Sequence, residues 1–219
     1  FAHANFGGDG DVSFVKTDFR NQGHLSFNMA EFDNQGEVAF DDANFQNRSV
    51  SFAVVDFENH GDVSFEGGAF QNCNSVEFCD TDFTNPAGVF LNDVTIENID
   101  VLDFHGAGFT EDVKIDITSK SDSIVSFDCV DFSEATLNFV SIPRVSFKSA
   151  NLIGVDLSEL DLSRTNLEGA FLNRANLFDT RLAGARLEGT VFGNARVNEG
   201  TFKRLAPSSD GINHSRTFA

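Results

Sequence analysis

Large apolar residues recur along this chain at steps of five and eight, and no single helix or strand has such a period. Phe6, Phe14, Phe19, Phe27, Phe32, Phe40, Phe45, Phe52, Phe57, Phe65, Phe70, Phe78, Phe83 and Phe90 advance by 8, 5, 8, 5, 8, 5, 7, 5, 8, 5, 8, 5 and 7. From Phe127 the step is five throughout: Phe132, Leu137, Ile142, Phe147, Leu152, Leu157, Leu162, Leu167, Leu172, Leu177, Leu182, Leu187, Phe192, Val197 and Phe202. Two residues before most centres stands a small or β-branched residue, as at Ala4, Val12, Ala30, Val38, Val130, Ala150, Thr165 and Ala185; Leu25 is the bulkiest exception in the first series. A five-residue unit that turns a corner at each end is too short for a helix. It can bury its apolar pair only by stacking on copies of itself, as solenoids do.

The apolar set is unusual as well as periodic. There are 26 Phe, no Tyr, no Trp and one Met, so the interior accepts a phenyl ring repeatedly and has no place for a polar handle. A small inward residue beside each large one lets successive levels stack without collision. Coils then lie about 4.8 Å apart, the ordinary strand spacing.

The stretch "SANLIGVDLSELDLSRTNLEGAFLNRANL" resembles the pentapeptide-repeat family, whose units follow the pattern A(D/N)LXX, and the resemblance extends over about residues 4 to 202. It implies a right-handed quadrilateral (four-sided) parallel β-helix, all-β, of about eight coils, with each centre and the residue two before it inside. On that fold the 8-steps are five-residue sides with three inserted residues. The insertions fall at "NQG" (21 to 23 and 34 to 36), "NHG" (59 to 61) and "NCN" (72 to 74). Asn and Gly tolerate φ > 0, so each insertion is expected to be a bulged corner. The expected organisation is one β-helix over 1–202, with double repeats of 13 residues over 1–126 and regular pentapeptides over 127–202, followed by a cap or linker over 203–219. Residues 91 to 126 break the count and are expected to form one or two coils carrying a loop.

Charge divides the chain at the same place. Residues 1 to 126 hold 5 Lys and Arg against 23 Asp and Glu, a balance of −18, whereas residues 127 to 219 hold 10 against 11, a balance of −1. Such a field repels nucleic acid and anionic membrane and attracts basic surfaces. Solubility or adaptation to high salt explains the same acidity without a partner. Three cysteines, Cys73, Cys79 and Cys129, have no metal-ligand spacing and leave an odd thiol in any pairing, which points to a reducing, cytoplasmic setting. The sequence contains neither an apolar run of 18 residues nor a signal-peptide pattern. The start at Phe1, not Met, suggests a piece of a longer protein.

No catalytic set is legible, and neither a cofactor nor a metal is expected. The histidines His3, His24, His60, His105 and His214 are scattered. "GGDGDV" at 7 to 12 is similar to a glycine-aspartate calcium repeat but occurs once and has Val12 where the aspartate belongs. What stands out is an outward ladder. With four sides per coil, Asn5, Glu31, Asp56 and Asp82 share one face, while Asp18, Asn44 and Ala69 share the opposite one. Glu31, Asp56 and Asp82 are the candidate binding residues. In the second part, Asp161 falls under Arg181, and Asp156 shares a ladder with Asn176 and Arg196, so charges there compensate internally.

Family members that protect type II topoisomerases from quinolones are acidic rods similar to duplex DNA in size and charge. The resemblance therefore implies a non-catalytic protein with an acidic first part that binds a basic surface, such as a DNA-binding protein or topoisomerase, and not nucleic acid itself. The alternative is a structural spacer or oligomerisation module of a larger protein, with a homodimer as one form.

Overall fold

The computed structural model describes residues 1–83, 87–141, 144–199 and 201. Ile142 and Phe202 of the repeat count, and the expected cap over 203–219, lie outside these residues. The described residues form strands and turns with no helix, and every strand pairing is parallel. The chain winds as a four-sided β-helix. The first face carries Glu31–Phe32, Asp56–Phe57, Asp82–Phe83 and Gly108–Phe109. The second carries Val12–Ser13, Val38–Ala39, Val63–Ser64 and the start of Val89–Glu97. The third carries Asp18–Arg20, Asn44–Gln46, Ala69–Gln71 and the end of that same long strand. The fourth runs from His24–Ser26 through Ser49–Ser51, Ser75–Glu77, Val101–Asp103 and Ile124–Ser126 to Arg144–Ser146.

Like residues stack on like residues because the coils are in register. On the first face Phe6, Phe32 and Phe57 lie with ring centroids 4.7 and 4.9 Å apart and near-parallel planes. On the fourth, Phe27, Phe52 and Phe78 stack at 4.7 and 4.8 Å with interplanar angles of 1° and 2°. Neighbouring stacks meet edge to face: Phe40 stands at 88° to both Phe27 and Phe52. Each interior ring is thus offered faces above and below and edges at its sides, the two arrangements its quadrupole favours. A tyrosine hydroxyl or an indole N–H in this lattice would have no partner, which accounts for their absence. The stack begins one unit earlier than the count from Phe6: Phe1 lies on Phe27 at 4.7 Å.

The position two before each centre is also interior, and its chemistry is specific. Ala30, Val38, Ala43, Val50, Val55 and Val63 are buried. Where threonine occupies it, the hydroxyl donates to a backbone carbonyl of the preceding coil, as Thr81 does to Phe52 and Thr180 to Leu157, each at 2.7 Å. The group is satisfied without leaving the core.

Three readings of the sequence are corrected here. The first concerns the corners. Positive φ falls mainly on the residue two after the centre at the tight corners, including His3, Lys16, Met29, Asp42 and Val54; of the inserted runs it falls on Asn72 of "NCN" and not on the Asn-Gln-Gly or Asn-His-Gly runs. The inserted Asn34 and Asn59 instead turn inward. The amide of Asn59 donates to the carbonyls of Gly36, Gly61 and Asp62 at 3.2, 2.9 and 3.3 Å, and that of Asn34 to Gly10 and Glu37 at 3.0 and 3.2 Å. Gly61 is needed for closeness: a Cβ there would lie 2.6 Å from the backbone of Gly36 and Glu37. In "NCN", Cys73 is buried.

The second correction is at Phe90, counted as an inward centre. Val89 and Leu91 are buried and Phe90 faces outward, half-buried. The step from Phe83 is therefore eight, to Leu91, and the irregularity lies in the choice between two adjacent apolar residues.

The third concerns 91 to 126 and its neighbour. Strands Val89–Glu97 and Glu111–Ser119 each run round the corner between the second and third faces, and Ala135–Ser141 joins them. Register shifts between Leu91 and Val94 and between Ile115 and Asp116 absorb the bend. "TSKSDS" is tied in, with Ser123 donating to the Ile99 carbonyl at 2.6 Å. Leu137 pairs with Val113, which stands two before the buried Ile115, so Leu137 takes the position two before a centre.

Candidate interaction surface on the first face

The residue preceding each inward centre points outward, and on the first face these residues form one column. Asn5 pairs with Glu31, Glu31 with Asp56, and Asp56 with Asp82. The column continues through Gly108, Asp131, Asn151 and Phe171 to Val191. The candidate residues Glu31, Asp56 and Asp82 are therefore brought together at single-coil spacing. Asn5 caps the lower end, its amide donating to Glu31 Oε2 at 3.1 Å. Glu31 and Asp82 are exposed and Asp56 between them is half-buried. Burial first, then the charges of Glu58, Asp82 and Glu31, raise the Asp56 carboxyl above its ordinary value of 3.8. A carboxyl shifted this way sits in a field its own sequence neighbourhood does not neutralise: between Arg48 and Lys114 there is no lysine or arginine.

A second acidic column at the adjoining edge was not singled out from the sequence. Asp11, Glu37 and Asp62 precede Val12, Val38 and Val63, which are in register. The Asp11 carboxylate accepts the Glu37 backbone N–H at 3.0 Å. Burial and then Asp41, Asp11 and Asp62 raise the Glu37 carboxyl. The signal was available, since counting one residue before each valine finds it as surely as counting before each phenylalanine. Asp33 and Glu58, exposed, follow Phe32 and Phe57 and fill the strip between the two columns.

The opposite face and the second part differ. Asp18, Asn44 and Ala69 do align, but Asp18 is held by Arg20, whose Nε lies 2.6 Å from both carboxylate oxygens. Higher up, Arg181 lies 3.5 Å from Asp161, Arg186 2.9 Å from Glu168, and Asn176 donates to Asp156 at 3.0 Å. Hydrogen bonds from Ser158 and Ser163 lead the causes that hold Asp156 and Asp161 below the ordinary value. Asp156, Asp161 and Glu168 of the second part are thus matched locally.

Above the acidic column, Cys129, Val130, Asp131, Ser149, Asn151, Ile153 and Phe171 line an open groove of about 350 Å³. Burial would raise the Asp131 carboxyl, but hydrogen bonds from the Ser133 backbone and hydroxyl and from Asn151 outweigh it and hold it low. The three cysteines are free. Burial, then the Asp103, Glu77 and Asp80 carboxylates, push the Cys79 thiol up to about 12. Among the described residues no group of three His, Cys, Asp or Glu is arranged to hold a metal ion, and no helix is long and apolar enough to cross a membrane.

Residues 131–169 and 156–194 match the family of pentapeptide repeats, with 8 copies. These repeats begin above the acidic coils. No curated protein is significantly similar to it. Among solved structures it is similar to Rfr23, a pentapeptide repeat protein from the cyanobacterium Cyanothece 51142, at 21% identity over 52% of this chain and 63% of that one, with a TM-score of 0.26. It is similar to HetL, a pentapeptide repeat protein involved in heterocyst differentiation regulation from Nostoc sp. strain PCC 7120, at 18% identity over 89% and 87% of the two chains, with a TM-score of 0.24. It is also similar to QnrB1, a plasmid-mediated fluoroquinolone resistance protein, at 13% identity over 90% and 92%, with a TM-score of 0.28. The chain spans under two thirds of the first of these, and scores this low transfer no activity or partner.

Proposed function

We propose that this chain is a non-catalytic interaction module whose acidic first face binds a basic protein surface, as a mimic of duplex DNA would. The observation that carries the reading is the Glu31, Asp56 and Asp82 column, three carboxylates in register on an exposed face within a stretch, 49 to 113, that contains no Lys or Arg. Like charges held about 4.8 Å apart repel, and a partner's cations relieve that repulsion while fixing their own position. The rigid phenyl stack behind the face means that little conformational entropy is lost on docking. The family resemblance makes a type II topoisomerase the first partner to try, in a reducing compartment that keeps Cys129 free.

Competition separates mimicry from simple charge attraction. Immobilised protein is loaded with a type II topoisomerase and washed with duplex DNA, then with salt. Elution by both, and no retention on E31K/D56K/D82K, is the expected result. Retention that ignores DNA and is equal for the two proteins leaves the acidity as a solubility device and favours the spacer reading.

A further inference from the structure

One column on the first face changes character along its length. Glu31, Asp56 and Asp82 lead through Gly108 to Asp131, then to Asn151, Phe171 and Val191. Phe171 and Val191 are 46% and 40% exposed, and Ile153, which lines the groove with Phe171, is 37% exposed. Phe171 stands outward directly in line with the carboxylate column and shares a groove with the exposed Ile153, an apolar patch that the fold, which asks only that Leu172 and Leu152 point in, does not require. The groove holds one carboxylate, Asp131, at the end nearer the acidic residues and the ring of Phe171 at the other. Cys129 at its rim is the exposed one of the three thiols, Cys73 being buried and Cys79 half-buried.

We infer that the first face is a single bipartite strip that takes one extended, lysine- or arginine-bearing segment of a partner protein, with an apolar side chain of that segment anchored between Ile153 and Phe171 and its cations facing Asp131, Asp82, Asp56 and Glu31. The occupant follows from charge complementarity and from continuity: the apolar end and the acidic end belong to one column, so one segment can cover both. Phe171 lies six coils above Glu31, roughly 29 Å at about 4.8 Å per coil. An extended chain covers that distance in about nine residues at about 3.3 Å each. The anchor fixes the register of the cations against the carboxylates, which charge alone leaves free to slide. This inference rests on the proposed role of the acidic face and adds the class of segment that the face recognises.

The test uses two labelled peptides, acetyl-Phe-Ala-Lys-Ala-Lys-Ala-Lys-Ala-Lys-amide and its counterpart with Ala in place of Phe. Binding is measured by fluorescence anisotropy to the intact chain, to Phe171→Ser, to Ile153→Ser and to E31K/D56K/D82K. The Phe peptide should bind the intact chain about tenfold more tightly than the Ala peptide, the scale of partly burying one ring. That advantage should vanish in Phe171→Ser and shrink in Ile153→Ser, and the Phe peptide alone should slow alkylation of Cys129 by iodoacetamide. Both peptides should be lost from E31K/D56K/D82K. Equal affinity of the two peptides for the intact chain overturns the anchor while leaving the acidic face standing. A Phe advantage that survives in E31K/D56K/D82K overturns the single strip, and unchanged binding of both peptides there overturns the proposed function as well.

Discussion

Asn59 and Asp56 lie three residues apart and show how position on the coil decides what a polar side chain does. The Asn59 amide is fully buried and its Nδ2 donates to three carbonyls of the bulged corner, Gly36, Gly61 and Asp62. Removing it leaves buried acceptors without a donor, so Asn59→Ala is expected to cost about 1–3 kcal/mol. The exposed neighbour of the same kind of corner, Gln35→Ala, is expected to stay within about 0.5 kcal/mol; chemical denaturation of both checks the difference. Asp56 acts through charge. Its carboxyl is raised in the folded state, so the folded chain holds its proton more tightly than the unfolded chain. The penalty is absent below the unfolded value, near 3.8, and grows as pH rises through the window up to the folded value. Asp56→Asn should therefore raise the thermal midpoint at pH 7 and leave it unchanged at pH 3. Asp156 and Asp161 carry the opposite sign, since their carboxyls are lowered and their contribution is lost as pH falls. An equal shift for Asp56→Asn at both pH values would show that its field is not electrostatic.

At the scale of the side and the corner, the period of five made the stacked coil legible, and the resemblance to pentapeptide repeats supplied its four sides. Three details escaped it for physical reasons. Phe90 and Leu91 are both large and apolar, so composition could not choose between them, and the parallel register with Val63 and Ser64 does. Asparagine suits a left-handed turn and a buried amide ladder equally, and Asn34 and Asn59 take the second role. The long strands Val89–Glu97 and Glu111–Ser119 span two faces through shifts of register, which break the spacing without showing that the chain stays in strand round the corner. The choice at Leu91 is directly measurable. Leu91→Ala opens a cavity in the stack and should cost about 2–5 kcal/mol. Phe90→Ala, on the outer side, should cost less than half as much, and the reverse order would restore Phe90 as the centre.

For the whole molecule, the candidate site was legible to the extent that it is geometry. The rule that places Phe32 inside places Glu31 outside, so the column of Glu31, Asp56 and Asp82 followed from counting. Its companions Asp11, Glu37 and Asp62, and the outward Phe171, obey the same rule on positions that were not counted. The acidity of the first part makes the chain electrically lopsided, and on the proposed function this field steers a basic partner over a distance set by salt. The Debye length falls from about 10 Å at 0.1 M to about 3 Å at 1 M. The most direct measurement is the association rate of the protein with immobilised type II topoisomerase across that salt range, for the natural sequence and for E31K/D56K/D82K. The account predicts fast association that slows steeply with salt for the natural sequence, and no measurable association for the variant even at the lowest salt. Equal rates with equal salt dependence in the two proteins would contradict it.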